Sequence, residues 1–361
     1  MSVAEFDPLR LVRQELRQFA GYSSARKEAS AGSIWMNANE SPWPVAGDAW
    51  QLNRYPEPQP EALLQRLAQL YAVKREELLV GRGSDELIDL LVRALCRAGQ
   101  DRLMISSPTF GMYAVSARVQ GAEVIDLPLL AEQGFALDVE GMVAAMSPEV
   151  KLVFVCSPNN PTGAAVPANT LAQLAERLQG RALLVVDEAY AEFSAQSSAL
   201  GLRARFPNIA VLRTLSKAYG LAGARIGSLI ADPRLIKVLS AIMAPYPLPT
   251  PSVQAALAGL EPKAVALAQS RIGLIREERR RLAERLATLP EVAAVWPSEA
   301  NFLLLRCADA DALYQRARAA GIILRLPSQH PSLQGCVRVS VGTPEQNDAL
   351  IAALCAKQEA A

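Results

Sequence analysis

Through the middle of the chain, short continuous apolar runs alternate with stretches whose apolar residues recur at helical spacing. Leu78-Leu79-Val80 is the first such run, and segments 102–105, 122–127, 151–156, 182–186, 210–213 and 227–231 repeat the pattern. Runs this short, rich in Val, Ile and Leu, predict strands buried on both faces. Between them, 86–97 gathers Leu87, Leu90, Leu91, Ala94 and Leu95 on one side, which predicts a helix. Segments 113–120, 139–145 and 169–179 read as further helices, and Leu63, Leu67 and Leu70 mark one face of an earlier helix. Nearer the start, Leu9, Val12, Leu16 and Phe19 define a helical face over 9–19, followed by a polar stretch over 23–33. The segment 53–60 holds Pro56, Pro58 and Pro60 and is expected to be irregular, because proline removes a donor and restricts its neighbour.

Strands alternating with helices predict an α/β domain built on a mostly parallel sheet, with ligands beyond the carboxyl ends of its strands. Pro245, Pro247, Pro249 and Pro251 then mark an irregular connection. A long helical stretch covers 252–289, with Glu261-Pro262 as the place where it can break. Segments 301–307, 309–320, 322–325, 336–341 and 344–357 complete a smaller α+β unit. The expected division is a large domain over 34–250. The small domain takes 1–33, with an N-terminal arm, and 251–361, with the long connecting helix.

Composition narrows the function classes. The chain has 361 residues, 20% of them charged, and a net charge of +1, so no polyanionic partner such as nucleic acid is implied. No apolar stretch approaches the roughly 20 residues that span a bilayer, so no membrane role is expected. The start, Met1-Ser2-Val3-Ala4-Glu5-Phe6-Asp7, lacks the basic and apolar regions of a signal peptide. Cys96, Cys156, Cys307, Cys336 and Cys355 are scattered, odd in number and without metal-ligand spacing, which predicts reduced thiols in the cytoplasm and no metal site. The single histidine, His330, argues against a Ser-His-Asp triad, and its setting, Leu326-Pro327-Ser328-Gln329-His330-Pro331-Ser332, reads as a solvated surface loop.

The candidate chemistry sits at strand ends. Lys217 follows the run 210–213 in a loop of small residues, where a lone lysine would ordinarily be solvated. Asn159 in Ser157-Pro158-Asn159-Asn160-Pro161-Thr162-Gly163 and Asp187 and Tyr190 in Asp187-Glu188-Ala189-Tyr190 end two further runs. Asn, Asp, Tyr and Lys at successive strand ends are the parts needed to hold pyridoxal 5'-phosphate. The lysine forms an imine, the carboxylate faces the pyridine nitrogen, and Tyr190 and Asn159 are in a position to bond the phenolic oxygen. Phe110 is a candidate to stack on the ring. Gly81-Arg82-Gly83-Ser84-Asp85-Glu86 opens a helix, with Ser84 the expected N-cap, and free N–H groups there suit phosphate oxygens. The side chains of Asp85 and Glu86 are expected to turn away from such an anion, while Ser216 and Arg225 complete the cup.

The string Thr214-Leu215-Ser216-Lys217-Ala218-Tyr219-Gly220-Leu221-Ala222-Gly223 resembles the lysine signature of the class II aminotransferases. The Asn159 and Asp187 segments and Arg338-Val339-Ser340-Val341-Gly342 agree. Within that family, the chain resembles the branch acting on histidinol phosphate. The motifs are Tyr22 to Arg26, Asn37 to Glu40, Asn53 to Pro56, Gly111-Met112-Tyr113, Ala244 to Leu248, Gly321 to Arg325 and Pro331 to Gly335. The resemblance implies a type I, aspartate-aminotransferase-like fold and a homodimer with shared active sites. It implies Lys217 as the imine lysine, Asp187 at the pyridine nitrogen, Asn159 and Tyr190 at the ring oxygen, and Gly83, Ser84, Asp85, Ser216 and Arg225 around the phosphate. Tyr55 is implied to reach the neighbour's phosphate, and Tyr22, Asn159, Arg325 and Arg338 to bind substrate. Phe110 stands where tyrosine also occurs, and Gly83-Ser84 where an alanine can stand, a change expected to matter little because the contacts are mainly backbone. The implied reaction moves the amino group of L-histidinol phosphate to 2-oxoglutarate by a ping-pong route, giving imidazole acetol phosphate and L-glutamate in L-histidine biosynthesis. An aromatic aminotransferase or a threonine-phosphate decarboxylase would share the cofactor residues. A cofactor-binding sensor module of a transcription regulator would need a DNA-binding domain for which the chain shows no basic footprint.

Overall fold

The computed structural model describes residues 7–22, 34–327 and 330–355. All seven predicted runs become strands: β1 (Leu78–Arg82), β2 (Arg102–Ile105), β3 (Glu123–Asp126), β4 (Val150–Cys156), β5 (Leu183–Asp187), β6 (Ile209–Thr214) and β7 (Ile226–Ile230). They form one sheet in the order β1-β7-β6-β5-β4-β2-β3. Strands β3, β2, β4, β5 and β6 run parallel, and β7 is antiparallel to both β6 and β1. Strands β4 to β7 are buried almost throughout, because helices cover both sheet faces.

One apolar layer packs α2 (Gly83–Leu95) through Leu87, Ile88, Leu91 and Leu95 against Leu103, Phe154 and Leu212. The opposite layer packs Leu171, Leu174 and Leu178 of Ala168–Leu178 against Val153, Val155 and Val186. The helix before α2, α1 (Glu61–Tyr71), buries Leu63, Leu64 and Leu67 over β1 and β7. Beyond the proline-rich connection, the helical stretch divides into Thr250–Gly259 and Pro262–Leu286, with the break at the expected Glu261-Pro262. A three-stranded antiparallel sheet follows, β10-β9-β8, made of β8 (Val292–Val295), β9 (Phe302–Cys307) and β10 (Cys336–Ser340). It is covered by Ala310–Ala319 and Pro344–Cys355.

Several elements differ from the sequence expectation. The helical face over 9–19 forms two short 3-10 turns, Pro8–Arg10 and Gln14–Leu16. Arg13 N–H donates to the Ala94 carbonyl at 3.0 Å, so the segment is tied to the end of α2 instead of continuing its own ladder. Leu11 and Val12 are buried there, and Phe19 is exposed. A helix at Pro233–Ile242 and the strand β8 were not anticipated. The helix was readable from Asp232, which caps Arg234 N–H, Pro233 in the first turn, and Leu235, Ile236, Val238 and Leu239 on one face. Segment 322–325 forms no strand; only Arg325 pairs, in an isolated bridge to Arg338.

One close approach joins the sheet to the start of α2. Gly227 on β7 lies opposite Gly81, and a methyl group on it would stand 2.3 Å from Gly83 C and Ser84 N. Only glycine admits that contact between two backbones. Gly227→Ala is therefore expected to cost about 1–3 kcal/mol by overpacking. Urea unfolding would show a lower midpoint at unchanged slope, and a wild-type midpoint would contradict the contact.

Candidate active site

The register of β5 on β6 and the loop after β6 bring Asp187 and Lys217 to one cavity of about 150 Å³. Asp187 is 2% exposed. Its Oδ2 accepts the Tyr113 hydroxyl at 2.7 Å and its Oδ1 accepts Ala189 N–H at 3.1 Å. Burial raises the Asp187 pKa from 3.8 to about 6; those two hydrogen bonds pull it down, and the charges of Asp85 and Glu188 push it up. Lys217 keeps solvent access through the cavity. Its surroundings still hold its pKa below the ordinary lysine range, chiefly by desolvation, then through the charges of Arg338 and Arg225, with Asp85 and Asp187 opposing. Its Nζ lies 5.7 Å from the Tyr190 ring centre, and that ring packs edge-on against Phe302.

An anion cup occupies the end of the cavity toward α2. Ser84, Asp85, Ser216 and Arg225 line it. The N–H groups of Ser84 and Asp85 belong to a first helical turn, which has no intrahelical acceptor for them. Ser84 is not the N-cap: α2 begins at Gly83 with Arg82 as the cap, and the Glu86 carboxylate accepts Arg82 N–H at 2.7 Å. Glu86 thus turns away from the cup as expected. Asp85 does not, because its carboxylate pairs with Arg225 Nη2 at 2.9 Å. Arg225 sits in the left-handed region at φ 54°, with Nη1 3.4 Å from Ser216 Oγ. Gly83 matters more than the sequence suggested. Its φ is +77°, and a Cβ there would stand 2.3 Å from Arg225 Nη2. An alanine at 83 would displace the guanidinium in this arrangement.

Phe110 and Asn160 line this cavity and also a second one of about 530 Å³, so the two adjoin. Arg325 and Arg338 line the second cavity. They face one another across the bridge, Arg325 N–H donating to the Arg338 carbonyl at 3.1 Å and Arg338 N–H to Arg325 at 2.8 Å. Like charges directly opposite are unfavourable, so the pair suits an anion placed between them. Arg338 Nη1 also donates to Asn160 Oδ1 at 2.5 Å, and its guanidinium lies over Phe302.

Three predicted site residues lie elsewhere in this chain. Asn159 is buried, and its Nδ2 donates to the Pro108 carbonyl and to Thr162 Oγ1, both at 2.9 Å. Its Oδ1 accepts Thr109 Oγ1 at 2.8 Å, and the residue lines an adjacent cavity of about 340 Å³. Meeting a ring oxygen requires it to share an Nδ2 hydrogen now committed to protein. Tyr55 stacks on Tyr246 with ring centres 4.4 Å apart, and Tyr22 is exposed beside Gly21; neither lines the cavities around Lys217 and Arg338. Arg26 lies outside the described residues. Sequence reasoning assigned no role to Tyr113, although its motif Gly111-Met112-Tyr113 was visible. It also read His330 as a solvated loop residue, whereas His330 lines the cavity of Arg325 and Arg338.

The set fits pyridoxal phosphate. Asp187 is a buried carboxylate aimed at the cavity, an aromatic face is present at Phe110, and the cup offers helix N–H groups, a hydroxyl and a guanidinium.

Comparison with known proteins agrees. Residues 24–354 match the family described as aminotransferase class I and II. A histidinol-phosphate aminotransferase of Xylella fastidiosa is 52% identical over 349 residues, 96% of each chain. One from Stenotrophomonas maltophilia is 49% identical over 358 residues, 98% of each chain. Among solved structures, the histidinol-phosphate aminotransferase of Sinorhizobium meliloti in complex with pyridoxal-5'-phosphate superposes with a TM-score of 0.76. It is 30% identical, and the match covers 86% of this chain and 83% of that one.

Asp187 generates a prediction about the cofactor-free protein. Its folded pKa of about 6 exceeds the ordinary 3.8, so the folded chain binds the extra proton between those values. Stability from this group is present below about pH 4 and is lost as pH rises through about 6. Asp187→Asn should make the cofactor-free chain more stable at pH 8 by on the order of 1–3 kcal/mol, with the gain vanishing on acidification toward pH 4. Urea melts of cofactor-stripped protein across pH check this; a gain independent of pH would contradict the buried charge.

Proposed function

The chain belongs to the aminotransferase class I and II family, and on that premise we propose that it transfers the amino group of L-histidinol phosphate to 2-oxoglutarate, yielding imidazole acetol phosphate and L-glutamate in L-histidine biosynthesis. One observation carries the reading: the cavity of Lys217 and Asp187 opens, past Phe110 and Asn160, onto a cavity that holds two arginines. A cofactor-side pocket adjoining an anion-side pocket is what a phosphorylated amine and a dicarboxylate, bound in turn, both need.

When bound, pyridoxal 5'-phosphate supplies an electron sink for negative charge at substrate Cα and carries the amino group between the two halves of a ping-pong reaction. The protein's share is positional and electrostatic. Asp187 holds a negative charge opposite the pyridine nitrogen, kept ionisable by Tyr113 and Ala189. Lys217, with its pKa lowered by burial, first binds the cofactor and then moves the proton at substrate Cα. Gly83, Ser84, Asp85, Ser216 and Arg225 hold the cofactor phosphate, Phe110 covers the ring, Tyr190 attends its oxygen, and Asn159 reaches that oxygen by sharing an Nδ2 hydrogen with Pro108 or Thr162. Arg325 and Arg338 orient the phosphate of one substrate and a carboxylate of the other, since a guanidinium fork fits either anion.

The proposal includes a homodimer with shared sites. Ile34, Met36, Trp43, Val45, Trp50 and Leu52 expose large apolar surface along one segment, with Met36 90% exposed. Apolar surface of that extent marks a protein interface. A second copy of the chain is the occupant we propose, because Tyr22 and Tyr55 border this segment. Both are placed in this reading to serve the site of the partner. Four of the cysteines are buried and unpaired, which accords with the reducing cytoplasm. No helix among the described residues is long and apolar enough to cross a membrane.

The direct test mixes the loaded enzyme with L-histidinol phosphate and follows conversion of cofactor absorbance from the aldehyde to the amino form. Conversion with glutamate formed on adding 2-oxoglutarate is expected. Release of carbon dioxide from threonine phosphate would mark a decarboxylase, and preference for aromatic amino acids an aromatic aminotransferase. Lys217→Ala should abolish turnover. Arg338→Ala should slow both half-reactions, by about 10²-fold or more in kcat/KM for loss of a charge-assisted fork; impairment of only one would show that the two anions bind apart.

A further inference from the structure

His330, the only histidine of the chain, reaches across to the large sheet. Its Nε2 lies 3.0 Å from Ser107 Oγ, on the loop after β2. Ser107 Oγ in turn donates to Asp126 Oδ2 at 2.5 Å, and Ser107 N–H donates to Asp126 Oδ1 at 2.9 Å. On the other side of the ring, Ser332 Oγ lies 2.7 Å from Nδ1, and Ser332 N–H donates to Nδ1 at 3.3 Å. These contacts fix a direction. An ionised carboxylate only accepts, so the Ser107 hydroxyl proton is committed to Asp126. Ser107 Oγ must then accept from His330, which places a hydrogen on Nε2. Nδ1 faces a backbone N–H and must accept, so the Ser332 hydroxyl also points at it. The chain of donors runs Ser332 to His330 to Ser107 to Asp126.

The two ends of this relay belong to the two walls of the anion-side cavity. Ser107 begins the loop that carries Thr109 and Phe110, and its carbonyl accepts Leu129 N–H at 2.7 Å. Ser332 belongs to the turn Pro331–Leu333, whose Leu333 is buried against Phe135 and Leu304, and Arg306 Nη2 donates to the Ser332 carbonyl at 3.0 Å. Both anchors are therefore firm, and the imidazole spans the gap between them. His330 lines the cavity alongside Arg325 and Arg338, yet both its nitrogens are taken by protein. A substrate meets ring carbon there, not a hydrogen-bonding nitrogen.

We propose that His330 is a positioning residue for substrate: held in its Nε2-protonated form by Ser332 and Ser107, it fixes the distance between the Phe110 loop and the Arg325–Arg338 pair. The inference rests on the reading of this site as the histidinol-phosphate site for its kinetic consequence, but not for its hydrogen-bond geometry. The effect belongs to substrate capture, because none of the four linked residues lines the cavity of Lys217 and Asp187.

Two measurements test it separately. Full-length, untagged enzyme carrying ¹⁵N-labelled histidine gives one imidazole signal pair, and at a pH of about 8.5 its coupling pattern should place the proton on Nε2. A proton on Nδ1 would overturn the relay; in Ser107→Ala the proton should stay on Nε2, because Ser332 N–H still donates to Nδ1. In steady-state kinetics, His330→Ala and Ser107→Ala should each raise KM for L-histidinol phosphate about five- to twentyfold, with kcat within about twofold and cofactor affinity unchanged. His330→Phe keeps a ring but loses both bonds and should match His330→Ala. His330→Gln, which can still donate to Ser107, should recover part of the loss. A wild-type KM in His330→Phe would reduce the residue to a wall and overturn the proposal, and so would a fall in kcat alone. Melting temperature and bound cofactor confirm that each variant is folded. If the wild-type enzyme converts no histidinol phosphate, the functional reading fails while the tautomer measurement still decides the relay.

Discussion

In the proposed reaction Asp187 has to be both nearly inaccessible to water and negatively charged, and burial alone works against the second condition. Its pKa of about 6 is the balance of that conflict. The Tyr113 hydroxyl shifts the balance toward charge, and Tyr113 is itself immobilised: fully buried, stacked on Phe154 at 4.7 Å and edge-on to Phe110 at 5.7 Å. The strand end is fixed from the other side by Arg213 on β6. Its guanidinium bonds Glu188 and Glu192, both at 2.8 Å, and lies over the Tyr71 ring. Burial disfavours the Arg213 charge, but Glu192 and Glu188 more than offset this and hold its pKa above the ordinary range. Because Glu188 follows Asp187 and Arg213 precedes the Lys217 loop, this ion cluster sets the acid and the lysine at a fixed separation. A buried cluster of this kind contributes little net stability, and its use here is positional.

The anion cup shows the same economy of charge. Asp85 holds Arg225 at 2.9 Å, so the guanidinium is oriented before an anion arrives. The pair is exposed enough for solvent to screen it, which keeps the exchange of a carboxylate partner for a phosphate inexpensive. Gly227 against Gly83 and Ser84 serves the cup sterically, since two backbones in contact leave the first turn of α2 no room to shift.

The strands and their marked ends were legible because parallel strands buried on both faces read as unbroken apolar runs, and a polar residue closing such a run stands out. Asp187 is of this kind, and Lys217 and Arg225 stand in the small-residue loop between two such runs, β6 and β7. What the sequence concealed has physical reasons as well. The apolar face over 9–19 fits a helix locally, but the Ala94 carbonyl takes the Arg13 N–H, and tertiary pairing overrides propensity. Strand β8, Val292–Val295, is only half-buried and alanine-rich, so its run is too weak to register. Ser84 has the chemistry of a cap, yet Glu86 reaches back to Arg82 N–H and the helix starts two residues earlier. Asn159 carries the right side chain in the right motif, but its amide is committed to Pro108, Thr109 and Thr162, partners that no spacing rule reveals. His330 failed for the same reason on a larger scale, its partner standing 223 positions away.

That separation divides the site into two energetic parts. Every bond that holds Asp187, and every bond of the Arg225 cup, is made between residues of the seven-stranded sheet and its helices. The bonds that shape the anion side cross from the C-terminal unit to the large one: Arg338 to Asn160 over 178 positions and His330 to Ser107 over 223. What one chain contributes to the cofactor side is consequently held by the large sheet and the loops around it. The substrate side is lined from both parts of the chain, Phe110 and Asn160 from one and Arg325 and Arg338 from the other. An anion that bridges Arg325 and Arg338 relieves the repulsion between them and lies against Asn160 and Phe110. Its binding free energy therefore adds to the docking of one unit on the other. Retention of the cofactor and capture of substrate draw on different parts of the chain, which is how one site can hold the first continuously while exchanging two chemically different forms of the second.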